Sequence, residues 1–151
     1  MRMFVSSGLP TGAEPASEAL VDTSVAVSIV LADHDAHEET IRAVRGLRLG
    51  LAGHAWFETY SVLTRLPPDS RRPPATVLAI LESDFPATRF LETDAQATLR
   101  AELVSLGIAG GAVYDALVAV TARAHALPLF SRDRRARDVY ARLGVDVRFI
   151  P

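Results

Sequence analysis

The sequence predicts an α/β domain built on a mostly parallel sheet with helices packed on both faces. Two observations carry this. Short apolar runs recur that suit strands: Ala19-Leu20-Val21, Leu127 to Ser131 and Val145 to Ile150. Stretches with apolar residues near helical spacing separate them, and a helix between successive strands is the usual crossover that makes neighbours parallel. The length of 151 residues and the absence of an internal repeat suggest one domain, and a domain of this size buries roughly 68–70% of its unfolded surface without staples.

In order, residues 1–18 read as a leader, or as the product of an upstream start codon, and 19–151 as the domain. Ala19-Leu20-Val21 is the first buried strand, and it ends at Asp22-Thr23-Ser24, where Asp22 or Ser24 can cap a helix. Val25 to Leu31 continues as that helix. Asp33-His34-Asp35 breaks it, and helical pattern resumes at Ala36 and ends near Gly46. Leu47 to Gly53 is the second strand. His54 to Leu66 is a helix in which Trp56, Phe57 and Leu63 widen the apolar stripe. The loop Pro67 to Pro74 is rigid and polar, and a short helix spans Ala75 to Ser83. Arg89 to Glu92 reads as a third strand, and Thr93 or Asp94 as the cap of a helix reaching Leu106. A glycine pair at Gly110-Gly111 opens a helix that is apolar almost all round, followed by the Leu127 to Ser131 strand. Arg134 to Leu143 is the last helix, stopped by Gly144, and Val145 to Ile150 the last strand.

Composition narrows the function. Cysteine is absent, which removes disulfides, thiolate metal sites and a cysteine nucleophile, and fits a cytoplasmic protein. Net charge is −2, so any nucleic-acid binding rests on a local patch and not on a global field. All 16 cations are arginine, which suits bidentate phosphate contacts, although a GC-rich coding sequence produces the same bias. No apolar run reaches the length needed to span a membrane.

The chemistry lies in four carboxylates. Ligands bind outside the carboxyl ends of the strands of an open parallel sheet. Asp22 directly follows the first strand, Asp133 follows the Leu127 to Ser131 strand, and Asp115 sits in the first turns of the helix leading into that strand. Glu58 lies one turn into the helix after the second strand. Each has a plain alternative: Asp22 as an N-cap, Asp133 as the cap of the last helix with Arg137 four residues on, Asp115 as a dipole-stabilised first-turn acid, and Glu58 as a solvated helix position. Placed together at one edge, four carboxylates repel one another, and a divalent cation removes that penalty. All-oxygen ligation selects Mg²⁺ or Mn²⁺ over zinc, and such ions promote phosphodiester hydrolysis. Thr23, Ser24 and Ser131 stand beside these acids and can orient a carboxylate or simply cap. Arg132, Arg134 and Arg135 belong to the one dense basic cluster, which can hold phosphates near Asp133 or form a solvated face. His34 and His37 read as a polar helix entrance, His54 and His125 as structural, and Trp56, Phe57 and Tyr60 as core.

Four stretches in order resemble a PIN-domain ribonuclease, and more narrowly the VapC-type toxins of bacterial toxin–antitoxin pairs: Leu20-Val21-Asp22-Thr23-Ser24-Val25; Trp56-Phe57-Glu58-Thr59 with Leu63-Thr64-Arg65-Leu66; Tyr114-Asp115-Ala116-Leu117; and Leu129 to Ala136. The resemblance runs from about residue 19 to the C-terminus. It implies an α/β/α sandwich with Asp22, Glu58, Asp115 and Asp133 around Mg²⁺ or Mn²⁺, endonucleolytic cleavage of RNA, a homodimer and inhibition by a cognate antitoxin. Two departures stand out: a longer leader than is usual, and Ser131 where threonine is common. A different class of function is a catalytically silent binding module whose acidic pocket receives a partner's arginine. Phosphoryl transfer on the same sheet is disfavoured, because Ser24 replaces the acid needed two residues after Asp22 and the chain has no lysine.

Overall fold

The computed structural model describes residues 15–151, so residues 1–14, most of the expected leader, lie outside the described residues. The element order is β1 (Glu18–Val21), α1 (Thr23–Val30), α2 (His37–Ala43), β2 (Arg48–Leu51), α3 (His54–Thr64), α4 (Pro74–Asp84), α5 (Thr93–Ser105), α6 (Ala112–Ala124), β3 (Leu129–Ser131), a 3₁₀ turn (Arg134–Ala136), α7 (Arg137–Arg142) and β4 (Val147–Phe149). The four strands form one sheet in the order β2-β1-β3-β4, every pair parallel.

Strand β1 explains why the sheet is covered on both sides. Successive strand residues point to opposite faces, yet Ala19, Leu20 and Val21 are all fully buried. Full burial of Leu20 and Val21 contributes roughly 1.5–3 kcal/mol each. That gain anchors β1 between β2 and β3, with Val21 level with Leu51 on one side and Phe130 on the other. Helix α1 packs on α2 and α3, α3 on α4, and α6 on α5 and α7. Helix α6 buries Ala116, Val118, Ala119, Val120, Thr121 and Ala122, so its nearly continuous apolar surface belongs to a central helix. Polar ties reinforce the packing: Arg123 pairs with Glu102 at 2.7 Å and donates to the Leu143 carbonyl, joining α5, α6 and the end of α7.

The expected third strand at Arg89 to Glu92 does not form. Around this segment there are only isolated bridges, Pro86 with Gly50 of β2 and Arg89 with Ala52 just beyond it. Ala87 and Arg89 donate backbone hydrogen bonds to the Leu49 and Leu51 carbonyls, but the Leu51 N–H goes to the Thr88 hydroxyl at 3.0 Å and not to a carbonyl. A side chain thus takes the place of a ladder acceptor, and the segment turns away with Phe90 exposed. Approach to β2 is close enough that a Cβ on Gly50 would stand 2.1 Å from the Ala87 carbonyl carbon. Two further corrections are local. Helix α5 has Glu92 at its N-cap position without a side-chain cap bond, so neither Thr93 nor Asp94 caps it. The expected last helix is split into the 3₁₀ turn and α7. No helix of the described residues is long and apolar enough to cross a membrane.

Candidate active site

Asp22 stands where β1 ends and α1 begins. Its carboxylate accepts from the Val25 N–H at 3.2 Å, so it does cap α1, and it is also only 5% exposed at the base of a cleft. Desolvation is offset by hydroxyls. Ser24 donates to Oδ1 at 2.5 Å; Ser131 and Tyr140 donate to Oδ2, the latter at 3.1 Å. Burial pushes the Asp22 carboxyl above the ordinary carboxylate range, and the hydrogen bonds from Ser131, Ser24, Val25 and Tyr140 pull it part of the way back. Burial and the neighbouring Asp22 and Asp115 charges raise the Tyr140 phenol, which keeps it a donor.

The two serines are themselves oriented by backbone. The Arg132 N–H donates to the Ser24 hydroxyl at 2.8 Å, and the Asp133 N–H to the Ser131 hydroxyl at 3.0 Å. The loop after β3 is thereby tied to the first turn of α1 through Ser24, one of the hydroxyls that hold Asp22. Thr23 takes another part: its hydroxyl donates to the Ala55 carbonyl at 3.4 Å and accepts from Thr59 at 3.5 Å, which docks α3, the helix of Glu58, against α1.

Asp22, Glu58, Asp115 and Asp133 all line one cleft of about 410 Å³. Asp115, half-buried, feels the others: burial first, then the charges of Asp133, Glu58 and Asp22, raise its carboxyl to about 6, against a small lowering by Arg135. Asp133 caps the 3₁₀ turn by accepting from the Arg135 N–H, and it pairs with the Arg135 guanidinium at 3.1 Å, not with Arg137. That hydrogen bond and charge raise the Arg135 pKa further.

The arginine cluster divides. Arg132 and Arg135 line the cleft, whereas Arg134 lies over the Phe149 ring, 5.8 Å from its centroid, with Arg137 beside it at 4.8 Å. Of the histidines, His37 hydrogen-bonds the Ser28 carbonyl and His125 the Phe90 carbonyl, both structural. His34 lines the cleft rather than only opening a helix, and its Nδ1 accepts from the Ala36 N–H. Phe57 is 58% exposed and is not core, while Trp56 and Tyr60 pack at the core's edge. Tyr140 is the site residue that sequence reasoning missed. The stripe Ala136, Val139, Tyr140, Leu143 marks its burial, and a buried phenol needs a partner, but periodicity does not say which.

The donor set is all oxygen, four carboxylates whose mutual repulsion is visible at Asp115, and this chemistry fits a hard divalent cation. Among the described residues, no group of three or more histidine, aspartate or glutamate side chains is drawn tightly enough together to hold an ion as the side chains stand. The charge of one acid on another, seen at Asp115, and the pairing of Asp133 with Arg135 both act in that direction.

Comparison with known proteins agrees with this geometry. The PIN domain family model matches residues 19–142. The chain is 43% identical over 127 residues to ribonuclease VapC27 of Mycobacterium tuberculosis, covering 84% of this chain and 93% of the relative. It is 44% identical over 132 residues to ribonuclease VapC40 of the same species, covering 85% and 96%. Among solved structures, VapC20 of M. tuberculosis, a sarcin-ricin loop cleaving toxin, superposes with a TM-score of 0.63 at 20% identity, covering 87% of this chain and 99% of that one. VapBC2 of Rickettsia felis bound to a promoter DNA fragment gives a TM-score of 0.63 at 14% identity, covering 89% and 99%. Sheet order, acidic cleft and sequence likeness together place this chain in the PIN-domain family, among its VapC-type members.

Proposed function

We propose that this protein is a metal-dependent endoribonuclease, the toxin of a toxin–antitoxin pair, with Mg²⁺ or Mn²⁺ held by Asp22, Glu58, Asp115 and Asp133. The observation that carries the reading is the convergence of four carboxylates, from the β1–α1 junction, α3, α6 and the loop after β3, on one cleft. Relatives above 40% identity over most of the chain bear the name ribonuclease, and solved neighbours of the same fold are toxin–antitoxin complexes. An RNA substrate, a cognate antitoxin and a homodimeric assembly are the partners proposed.

When bound, the cation supplies Lewis acidity toward the attacking water and neutralises charge on the phosphate. The chain's residues do the rest. Ser24, Ser131 and Tyr140 fix the carboxylate of Asp22, so its oxygens are positioned before substrate arrives. Asp115, raised by burial and by the charges of Asp133, Glu58 and Asp22, is held ionised by a nearby cation. Asp133 accepts a hydrogen bond from the attacking water and orients it. Arg135, held by Asp133 through Nε and Nη2, offers its remaining donors to phosphate oxygens, and Arg132 lines the same cleft.

The test is cleavage of pooled cellular RNA by wild type in Mg²⁺, by wild type in EDTA, and by Asp22→Asn in Mg²⁺. Cleavage in the first alone is expected, with Asp22→Asn lower by more than about a hundredfold, beyond the usual cost of disturbing a ligand's supporting shell. Equal activity in all three overturns the reading, and tight partner binding without metal affinity favours the silent binding module.

A further inference from the structure

Beside the acidic cleft lies a second recess of about 390 Å³ that shares Glu58, Asp115, Asp133 and Arg135 with it. Its other lining residues are His54, Tyr114 and Gly111. The His54 and Tyr114 rings are stacked, with centroids 4.7 Å apart and planes inclined by 20°. Tyr114 is 53% exposed, so the pair is not buried core. Gly111 adds no wall, and a Cβ there would meet nothing within 4 Å.

Each ring is built onto the helix that carries an acid. Tyr114 immediately precedes Asp115 in α6, and His54 stands one turn before Glu58 in α3. His54 is therefore set about one helical turn, ~5.4 Å along the axis, from Glu58, and Tyr114 is the next-door neighbour of Asp115. The stacked rings, the three acids and the Arg135 guanidinium all line this one recess. An exposed planar π-surface and a guanidinium lining the same recess match the base and the phosphate of one nucleotide.

Resting on the ribonuclease reading, we propose that Tyr114, backed by His54, is a stacking platform for the base that flanks the scissile phosphate. The platform makes the enzyme selective for an unpaired base at that position. A base within a duplex has both faces covered by its neighbours, whereas a splayed single-stranded base offers one to the phenol ring. Hydrogen-bond readout of base identity is not part of this contact, so the platform selects strandedness and not sequence.

The test uses the full chain with Ca²⁺ in place of Mg²⁺ and a short oligouridylate carrying one central 2-aminopurine, free or annealed to its complement. Wild type quenches the 2-aminopurine fluorescence of the single strand and binds the duplex more weakly. Tyr114→Leu, which keeps apolar bulk without a π-face, loses the quench and weakens single-strand binding about tenfold, whereas Tyr114→Phe stays within about twofold of wild type. In Mg²⁺, Tyr114→Leu raises KM for RNA by a similar factor and leaves kcat nearly unchanged. Unaltered quenching in Tyr114→Leu, no quench with wild type, or equal affinity for duplex and single strand overturns the platform. Wild type that cleaves RNA without quenching overturns the platform alone. Wild type that binds and quenches but hydrolyses nothing in Mg²⁺ overturns the ribonuclease reading alone.

Discussion

Asp22 serves two structures at once, capping α1 through the Val25 N–H and facing the cleft with a carboxylate that three hydroxyls hold. Tyr140 is the most remote of those hydroxyls in sequence, 118 residues away. Tyr140→Phe removes one hydrogen bond to a buried acid and little volume. It is expected to cost about 1–2 kcal/mol of stability in denaturant titration and roughly tenfold in metal affinity or cleavage rate. Asp115 makes a prediction about pH. Its folded-state value, about 6, lies above the ordinary 3.8, so folding favours its protonated form. Its contribution is therefore fully present below 3.8 and is lost as pH rises through about 6. In EDTA, wild type should lose more stability than Asp115→Asn between pH 5 and pH 7, as followed by thermal unfolding. Saturating Mg²⁺ should flatten that difference. A wild type that is stabilised relative to Asp115→Asn over this range in EDTA would show the acids to be uncoupled.

Elements carry the acids to one edge, and that much was legible in the sequence. An apolar run closed by an acid marks Asp22 after β1 and Asp133 after β3, and the parallel topology sends both to the same side. The segment Arg89 to Glu92 was misread because strand-like composition cannot reveal that Thr88 has taken the Leu51 N–H. Phe57, counted with the core from its place in an apolar stripe, is exposed because that stripe is wider than the face α3 buries. Tyr140 was missed because spacing shows which positions turn inward, not what a polar tip meets across the fold. Gly50 is equally silent in sequence. There Gly50→Ala would drive a Cβ into the Ala87 backbone, which has no rotamer by which to yield. Destabilisation of at least about 1–3 kcal/mol is expected by chemical denaturation, and wild-type stability would show that the Pro86–Arg89 segment moves freely off β2.

At the scale of the whole molecule, stability and function compete in one place. The sheet fully buries Ala19, Leu20 and Val21 of β1 and so carries the next residue's carboxylate into the interior, and the same fold assembles three more acids around it. Hydroxyls offset the burial of the first, Arg135 pairs with Asp133, and the divalent ion we propose would offset the repulsion that remains at Asp115. Binding a divalent ion should therefore raise the unfolding temperature with ion concentration, as ligand linkage requires, and Asp22→Asn with Asp115→Asn should abolish the rise. The most direct examination of this claim is anomalous diffraction from Mn²⁺-soaked crystals of the full chain. The account predicts a peak in the cleft ligated by Asp22 and Asp115, with Glu58 or Asp133 drawn toward it. Fully soaked crystals with no peak there, or with Mn²⁺ bound only at other surface acids, would contradict it.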